Sequence, residues 1–227
     1  MTDIPQTYPS IFNDVIGPVM RGPSSSHCAA AVRIGRIIRD LMGGEITDIL
    51  MQFDPDGSLA TTHESQGSDM GLFGGLLGWD ATDERLADSP KAIEEAGISV
   101  KTEITPIDAT HPNTYKMTIS NPRETHIITA ISTGGGIIEI ISIDGIKISI
   151  AGDYYETLIY FKSDKEKLNS YLAENISADE ILFFSGETGE LAEIKSQSFL
   201  KEEIISSLCT QFDIQSIKEI EPILPIL

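Results

Sequence analysis

The segment RGPSSSHCAAAVRIGRIIRDLMGG, residues 21–44, decides the fold of the first part of the chain. It opens with turn-forming residues, and from Ala29 onward small and branched apolar residues recur at helical spacing, with arginines between them. Gly43-Gly44 ends this pattern as a helix C-cap does. The segment therefore predicts a polar loop that leads directly into an amphipathic helix, with three consecutive serines ahead of the helix N-terminus.

Residues 24–27, Ser-Ser-Ser-His, form the strongest local pattern for a binding site. Free backbone N–H groups and the positive end of the helix dipole favour an anion at this place. The hydroxyls of Ser24, Ser25 and Ser26 add groups that both donate and accept hydrogen bonds, and Gly22 lets a ligand approach the backbone closely. Two interpretations stay open: the loop binds a small anion or an amino-acid carboxylate, or Ser26 only caps the helix.

The chain as a whole predicts an α+β fold in two domains, residues 1–151 and 152–227. In the first, helical patterns at Gly67–Leu77 and Ala81–Ala96 precede paired strands, which include a hairpin over Ile137–Ile150 around Asp144-Gly145. The composition changes near Gly152-Asp153. Beyond that point the order of elements predicts a ferredoxin-like βαββαβ domain.

The remaining predicted elements have less marked patterns. Strands are predicted at 46–53, 99–104, 114–120, 127–132, 157–161 and 217–220 and on both sides of Gly186–Gly189, and helices from Ser163 or Asp164 and through Ile204, Ile205 and Leu208.

Charge and cysteine content limit the possible functions. A net charge of −19 repels phosphate backbones and anionic lipids, so we expect no nucleic-acid or membrane partner. The acidity serves solubility or docking onto a basic partner subunit. Cys28 and Cys209 are the two cysteines, which are too few for a zinc or iron–sulfur site within the chain and suit a reducing cytoplasm. The start MTDIPQTYPS does not resemble a signal peptide, and no apolar stretch reaches the ~18 residues of a membrane span.

Several further residues could carry chemistry or only structure. His27, His63 and His111 could each act as an acid, a base or a ligand, although no HxxxH spacing indicates a metal site. Residues 111–114, His-Pro-Asn-Thr, predict a turn, and Asp69 is a candidate helix cap. Residues 134–136, three glycines, either let the backbone approach a ligand or form a bend between strands. They do not follow the dinucleotide-binding pattern GxGxxG.

The order of several motifs identifies a family resemblance over about residues 10 to 160. The runs Phe12–Met20 and Gly22–His27 resemble the opening of bacterial iron–sulfur-dependent L-serine dehydratase beta chains, and further matches follow in the same order. These further matches are Gly74-Gly75-Leu76-Leu77, Asp83-Glu84-Arg85, His111-Pro112-Asn113-Thr114, Ile131-Ser132 and Gly134-Gly135-Gly136. The same module resembles the allosteric substrate-binding domain of some D-3-phosphoglycerate dehydrogenases.

The resemblance implies a subunit of a lyase, an L-serine ammonia-lyase that forms pyruvate and ammonia in amino-acid degradation and gluconeogenesis. It implies a partner alpha chain that carries the [4Fe–4S] cluster, whose iron acts as a Lewis acid. A degenerate ACT-like domain, a cytoplasmic location and a homodimer or hetero-oligomer are also expected. His27 is the expected catalytic residue, and no metal ligand is expected in this chain. The expected substrate-binding residues are Gly22, Ser24, Ser25, Ser26, Asp69, His111, Asn113 and Gly135.

Three segments depart from the family pattern. Gln66 stands where the family usually has the histidine of GHGTD, and residues 28–31, Cys-Ala-Ala-Ala, follow the SSSH motif where the family usually has TAGA. Residues 162–165 replace the usual glycine-bearing turn of the ACT-like domain. Two alternatives therefore stand beside the serine dehydratase subunit: a non-catalytic module that binds a small anion or amino acid, and a lyase subunit for another hydroxy or thiol amino acid.

Overall fold

The computed structural model describes residues 19–186 and 189–224. The apolar run that begins at Ile11 and most of the matched run Phe12–Met20 lie outside these residues, as does the tip of the predicted turn after Gly186. The predicted loop and helix are confirmed: Ser25–Ala29 forms one π-helical turn, and helix α1 runs over Ala30–Leu41. Most of α1 is buried, because one face packs on a sheet and another packs on a second helix.

The other helices agree with the prediction except in two regions. They are α2 Leu59–Thr62, α3 Ser68–Leu76, α4 Ser89–Glu95, α5 Lys165–Asn175 and α6 Glu202–Gln211. The single helix predicted over Ala81–Ala96 is wrong, because Glu84–Asp88 forms a 3₁₀ helix and only Ser89–Glu95 is α-helical. Pro90 suits the first turn of α4 but cannot continue a helix from the preceding residues. Helix α2 was not predicted, since four residues show no helical period.

The first sheet contains six strands in the order β2-β1-β3-β4-β5-β6. These strands are β1 Asp48–Phe53, β2 Ser99–Ile104, β3 Thr114–Ser120, β4 Thr125–Gly134, β5 Ile137–Ile143 and β6 Ile146–Ile150. β1 and β2 are parallel, and the other pairs are antiparallel. The predicted hairpin is confirmed: Asp144 and Gly145 both have positive φ, as a type I′ turn requires.

The second sheet has the order β10-β7-β9-β8, and the predicted βαββαβ element order is confirmed. Its strands are β7 Tyr155–Phe161, β8 Glu180–Gly186, β9 Gly189–Ser196 and β10 Ile214–Ile220. Side chains alternate between its faces, as the strand period demands. Ile159 and Phe161 pack with α5 and α6, whereas Leu158 and Leu191 pack with the core of the first sheet.

The two sheets therefore share an apolar interface, and the α+β class is confirmed. The link between them passes through Gly152, beside the predicted boundary at residue 151, and the division into two domains stays a prediction. No helix in the described part of the chain is long and apolar enough to cross a membrane.

Candidate functional site

The hydroxyls of the polar loop meet the imidazole of His27. Its Nδ1 atom lies 3.1 Å from Ser24 Oγ and 3.2 Å from Ser26 Oγ, and these two oxygens are 3.2 Å apart. Ser24 precedes the π-helical turn, and its side chain makes no bond to the backbone N–H groups of that turn. The hydroxyls of Ser24 and Ser26 are thus used in a cluster with His27 rather than as helix caps.

Close backbone packing holds this loop against the start of α3. Gly22 has φ +99°, and a Cβ there would lie 2.6 Å from Cys28 Sγ and 2.9 Å from Met70 Cε. Gly67 also has positive φ, and its Cβ would lie 3.2 Å from Cys28 Cβ. Packing around the buried Cys28 by itself explains the need for glycine at residue 22. Contact with a ligand, the role expected from the sequence, stays a prediction for Gly22.

A closed ring of hydrogen bonds connects His27 to three other segments. The Nε2 atom of His27 lies 3.1 Å from Thr62 Oγ1, and the Thr62 hydroxyl donates to the Ser58 carbonyl at 2.6 Å. The Ser58 hydroxyl donates to Asn113 Oδ1, and Asn113 Nδ2 donates to the Ser132 carbonyl at 3.4 Å. The Ser132 hydroxyl closes the ring with a 2.7 Å bond to the carbonyl of Ser26. The loop is therefore fixed by α2, by the turn before β3 and by β4.

Burial favours the neutral form of the His27 imidazole. Desolvation lowers the pKa of His27 below its ordinary value. A neutral imidazole has one nitrogen that donates and one that accepts, so His27 can hold or move a proton near neutral pH. Thr62 orients Nε2, and the hydroxyls of Ser24 and Ser26 orient Nδ1, so the ring position of a proton carrier is fixed.

A second polar pair lies at the start of α3. His63 Nδ1 and Asp69 Oδ2 are 2.8 Å apart, and both side chains are mostly buried. Desolvation raises the pKa of Asp69. With Glu64, these residues are the one group of three potential metal ligands among the described residues, with donor atoms within 4.8 Å of one another. Because His63 and Asp69 already bond each other and Glu64 is exposed, the geometry is that of a hydrogen-bonded pair.

The structure brings some of the predicted site residues together and separates others. Ser26, His27 and Asn113 belong to the ring, and Ser24 contacts its members Ser26 and His27. The backbone N–H of Asn113 donates to His111 Nδ1 at 3.1 Å. Gly135 lies at the β4–β5 turn, with open space where a Cβ would be. In the described part of the chain, Gly135 shares no hydrogen bond with the ring, and the side chain of Ser25 makes none at all. Their binding roles stay predictions.

Sequence reasoning missed three members of the ring: Ser58, Thr62 and Ser132. Ser132 was matched only as part of the family pattern, and its partner Ser26 is 106 residues away. Ser58 and Thr62 lie four residues apart at α2. A serine and a threonine four residues apart, next to a histidine, would have been a weak signal, because hydroxyls at that spacing often bond only to the helix backbone.

A surface cavity of about 480 Å³ lies elsewhere, between the end of α1, the turn before β4, and β10. Its charged lining residues include Arg123, Glu124 and Lys218, and none of its lining residues belongs to the ring. Lys218 is already paired with Glu124 at 2.6 Å, and Arg123 with Glu45 at the same distance. The ring around His27 is therefore the better candidate site.

The cysteines do not fit an iron–sulfur cluster. Cys28 is buried in the π-helical turn before α1, where desolvation raises the pKa of its thiol to about 11, and Cys209 is exposed on α6. A cluster needs three or four thiolates, and the chain has two distant cysteines. This chain by itself therefore cannot hold such a cluster.

Two curated proteins are similar to this chain over most of its length, whereas no family model matches it. The chain is 42% identical over 152 residues to the probable L-serine dehydratase, beta chain, of Bacillus subtilis (strain 168). The matched residues make up 67% of this chain and 68% of that protein. It is 32% identical over 169 residues to the L-serine dehydratase, beta chain, of Peptoniphilus asaccharolyticus, with 74% and 75% covered.

Proposed function

Because the chain belongs to the L-serine dehydratase beta-chain family, we propose that it is the beta subunit of a [4Fe–4S]-dependent lyase that converts L-serine to pyruvate and ammonia. In this proposal it forms part of the substrate site and docks onto an alpha subunit in the cytoplasm. The observation that carries the proposal is the hydrogen-bonded ring, which presents a neutral histidine and two serine hydroxyls at one place.

His27 is the proposed catalytic residue, and it carries a proton during the reaction. Its lowered pKa supports this role, since a neutral imidazole can accept a proton near neutral pH. Ser24, Ser25 and Ser26 bind the substrate, together with Gly22, Asp69, His111, Asn113 and Gly135. Asn113 also positions the loop through the ring.

The cluster is proposed to reside on the alpha subunit. The mismatch between two separated cysteines and a cluster supports this division. The net charge of −19 supports docking onto a basic surface of that subunit. The ferredoxin-like order of β7 to β10 supports an ACT-like identity for the second domain.

Gln66 favours the alternative of a binding module, or of a lyase for another hydroxy or thiol amino acid. It is half-buried beside α3, where the family usually has a histidine. Gln66 cannot take part in proton transfer at that position, because the side chain of glutamine does not titrate.

The test is anaerobic co-expression with a candidate alpha subunit, followed by assays of iron, sulfide and pyruvate formation from L-serine. We expect a complex that contains the cluster and forms pyruvate. His27→Gln should lower kcat about 10²–10⁴-fold. His126→Gln, which changes a histidine at the sheet interface, is the control and should retain activity. A complex that binds L-serine but forms no product would favour the binding module.

A further inference from the structure

We propose that Thr62 sets the tautomer of His27 and thereby makes the hydroxyl pair of Ser24 and Ser26 an acceptor for the ammonium group of an amino-acid ligand. This inference rests on the proposed function, because it assigns an orientation to L-serine within the same site. It follows from a count of the hydrogens in the ring.

The first step concerns the hydroxyl of Thr62, which carries a single hydrogen. Its 2.6 Å contact with the Ser58 carbonyl uses that hydrogen, because a carbonyl oxygen can only accept. In the 3.1 Å contact with His27 Nε2, the Thr62 oxygen must therefore accept. The hydrogen of the neutral imidazole accordingly lies on Nε2.

The second step concerns the other nitrogen of His27. With its one hydrogen on Nε2, the neutral imidazole has a bare lone pair at Nδ1. Ser24 Oγ at 3.1 Å and Ser26 Oγ at 3.2 Å are the groups that can donate to it. Burial, which lowers the pKa of His27, supports the neutral form on which this step depends.

The third step counts the two serine hydrogens. The acceptors that the described residues place within reach of these hydroxyls are His27 Nδ1 and the other serine oxygen, so either both hydroxyls donate to Nδ1, or one donates to Nδ1 and the second donates to the first across 3.2 Å. In both cases the hydrogens of Ser24 and Ser26 are used inside the cluster. The two oxygens then offer only lone pairs to a ligand.

The polarity of this surface selects one end of an amino acid. An ammonium group only donates hydrogen bonds and a carboxylate only accepts them, so the lone pairs attract the former and repel the latter. In the described part of the chain, no lysine or arginine side chain hydrogen-bonds to Ser24, Ser26 or His27. The carboxylate of the ligand must therefore find its donors elsewhere in the site.

The tautomer is tested by ¹⁵N NMR of the histidine rings in the full chain. The chain has four histidines, and the signal of His27 is the one lost in His27→Gln. We expect Nε2–H in the wild type and in Thr62→Ser, which keeps the hydroxyl, and a gain of Nδ1–H in Thr62→Val. Thr129→Val is the matched control on β4 and should change nothing. An Nδ1–H tautomer in the wild type overturns the proposal, whether or not the Thr62→Val variant folds.

The orientation is tested on the wild-type complex by the KM of L-serine and by the inhibition constants of ethanolamine and 3-hydroxypropionate in the pyruvate assay. Ethanolamine lacks the carboxylate and 3-hydroxypropionate lacks the ammonium group. We expect ethanolamine to bind at least about tenfold more tightly than 3-hydroxypropionate, and Thr62→Val to weaken L-serine about tenfold. If L-serine binds but 3-hydroxypropionate binds more tightly than ethanolamine, this inference is overturned and the proposed function is not. No binding of L-serine overturns the proposed function and with it the ammonium assignment.

Discussion

Ser132 is a fully buried serine of β4 whose hydroxyl donates to the Ser26 carbonyl at 2.7 Å. Its own carbonyl accepts from Asn113, and its backbone N–H donates to the Asn113 carbonyl at 3.0 Å. One residue therefore holds the serine loop and the turn before β3 at a fixed separation.

Replacing Ser132 with alanine should weaken both the fold and the site. The Ser26 carbonyl loses its donor, which we expect to cost ~1–3 kcal/mol of unfolding free energy in a urea titration. Displacement of the loop should also lower kcat/KM for L-serine. Ser142→Ala is the control, because Ser142 is a half-buried serine of β5 with no side-chain hydrogen bond among the described residues. Equal losses in the two variants would contradict the role of the Ser132 hydroxyl.

At the scale of elements, α1 and α3 pack backbone to backbone. A Cβ on Gly35 would lie 2.5 Å from the Leu72 carbonyl oxygen and 2.9 Å from the Leu76 nitrogen. From the opposite helix, a Cβ on Gly75 would lie 2.9 Å from Gly35 Cα. The close approach holds the serine loop, at the start of α1, against Gly67 and Gly71 at the start of α3.

Gly35→Ala should separate these two helices. Replacing glycine with alanine inside a helix normally stabilises the helix by ~1 kcal/mol. Here the added methyl group would clash with the backbone of α3, which can move only if the whole helix shifts. We expect a net loss of ~1–3 kcal/mol in the free energy of unfolding and weaker L-serine binding. Gly74→Ala is the matched control, since its Cβ would meet side-chain atoms and no backbone: the flexible end of Leu86, which is closest, and Trp79 at 3.6 Å. Similar free energies of unfolding in the two variants would contradict this prediction, because they would show that α1 and α3 can move apart at little cost.

At the scale of the whole molecule, charged side chains lie buried between the two sheets. Glu156 and Glu193 are fully buried on neighbouring strands, on the face that packs against the first sheet, and Lys195 beside them donates to the Ser149 carbonyl of β6 at 3.1 Å. Desolvation raises the pKa of both glutamates. Burial alone would lower the pKa of His126, but Asp144, 2.6 Å from its Nδ1 atom, and Glu124 raise it.

This interface should lose stability as pH rises. A group with a raised pKa in the folded state contributes stability that is fully present below its unfolded pKa and is lost as pH rises through the folded value. Urea titrations between about pH 6 and about pH 9 should show a falling free energy of unfolding, at up to about 1.4 kcal/mol per pH unit for each proton lost. Glu156→Gln, which removes the titration but keeps the shape, should flatten this dependence.

Glu174→Gln, on the exposed face of α5, is the control and should leave the pH dependence unchanged. A wild-type protein whose stability is constant over this range would contradict the raised pKa of Glu156. The same interface spans the boundary predicted at residue 151, since Leu158 and Leu191 of the second sheet pack into the core of the first.

The sequence by itself determined the features that depend on near neighbours in the chain. The loop and helix over residues 21–44, the Asp144-Gly145 hairpin and the βαββαβ order all follow from local period and turn chemistry. The ordered motifs also identified the family, which the two beta-chain relatives confirm. One helix was misplaced at Ala81–Ala96, where the apolar period continued although Pro90 restricts where a helix can begin.

Only the tertiary structure decided which polar groups meet. Ser58, Thr62 and Ser132 have ordinary local patterns, and their partners come from other segments brought together by the sheet and the helix pair. The hydrogen count that orients His27 depends on those contacts, so no period or spacing could give it. Local forces selected the elements of this protein, whereas long-range packing selected the chemistry of its site.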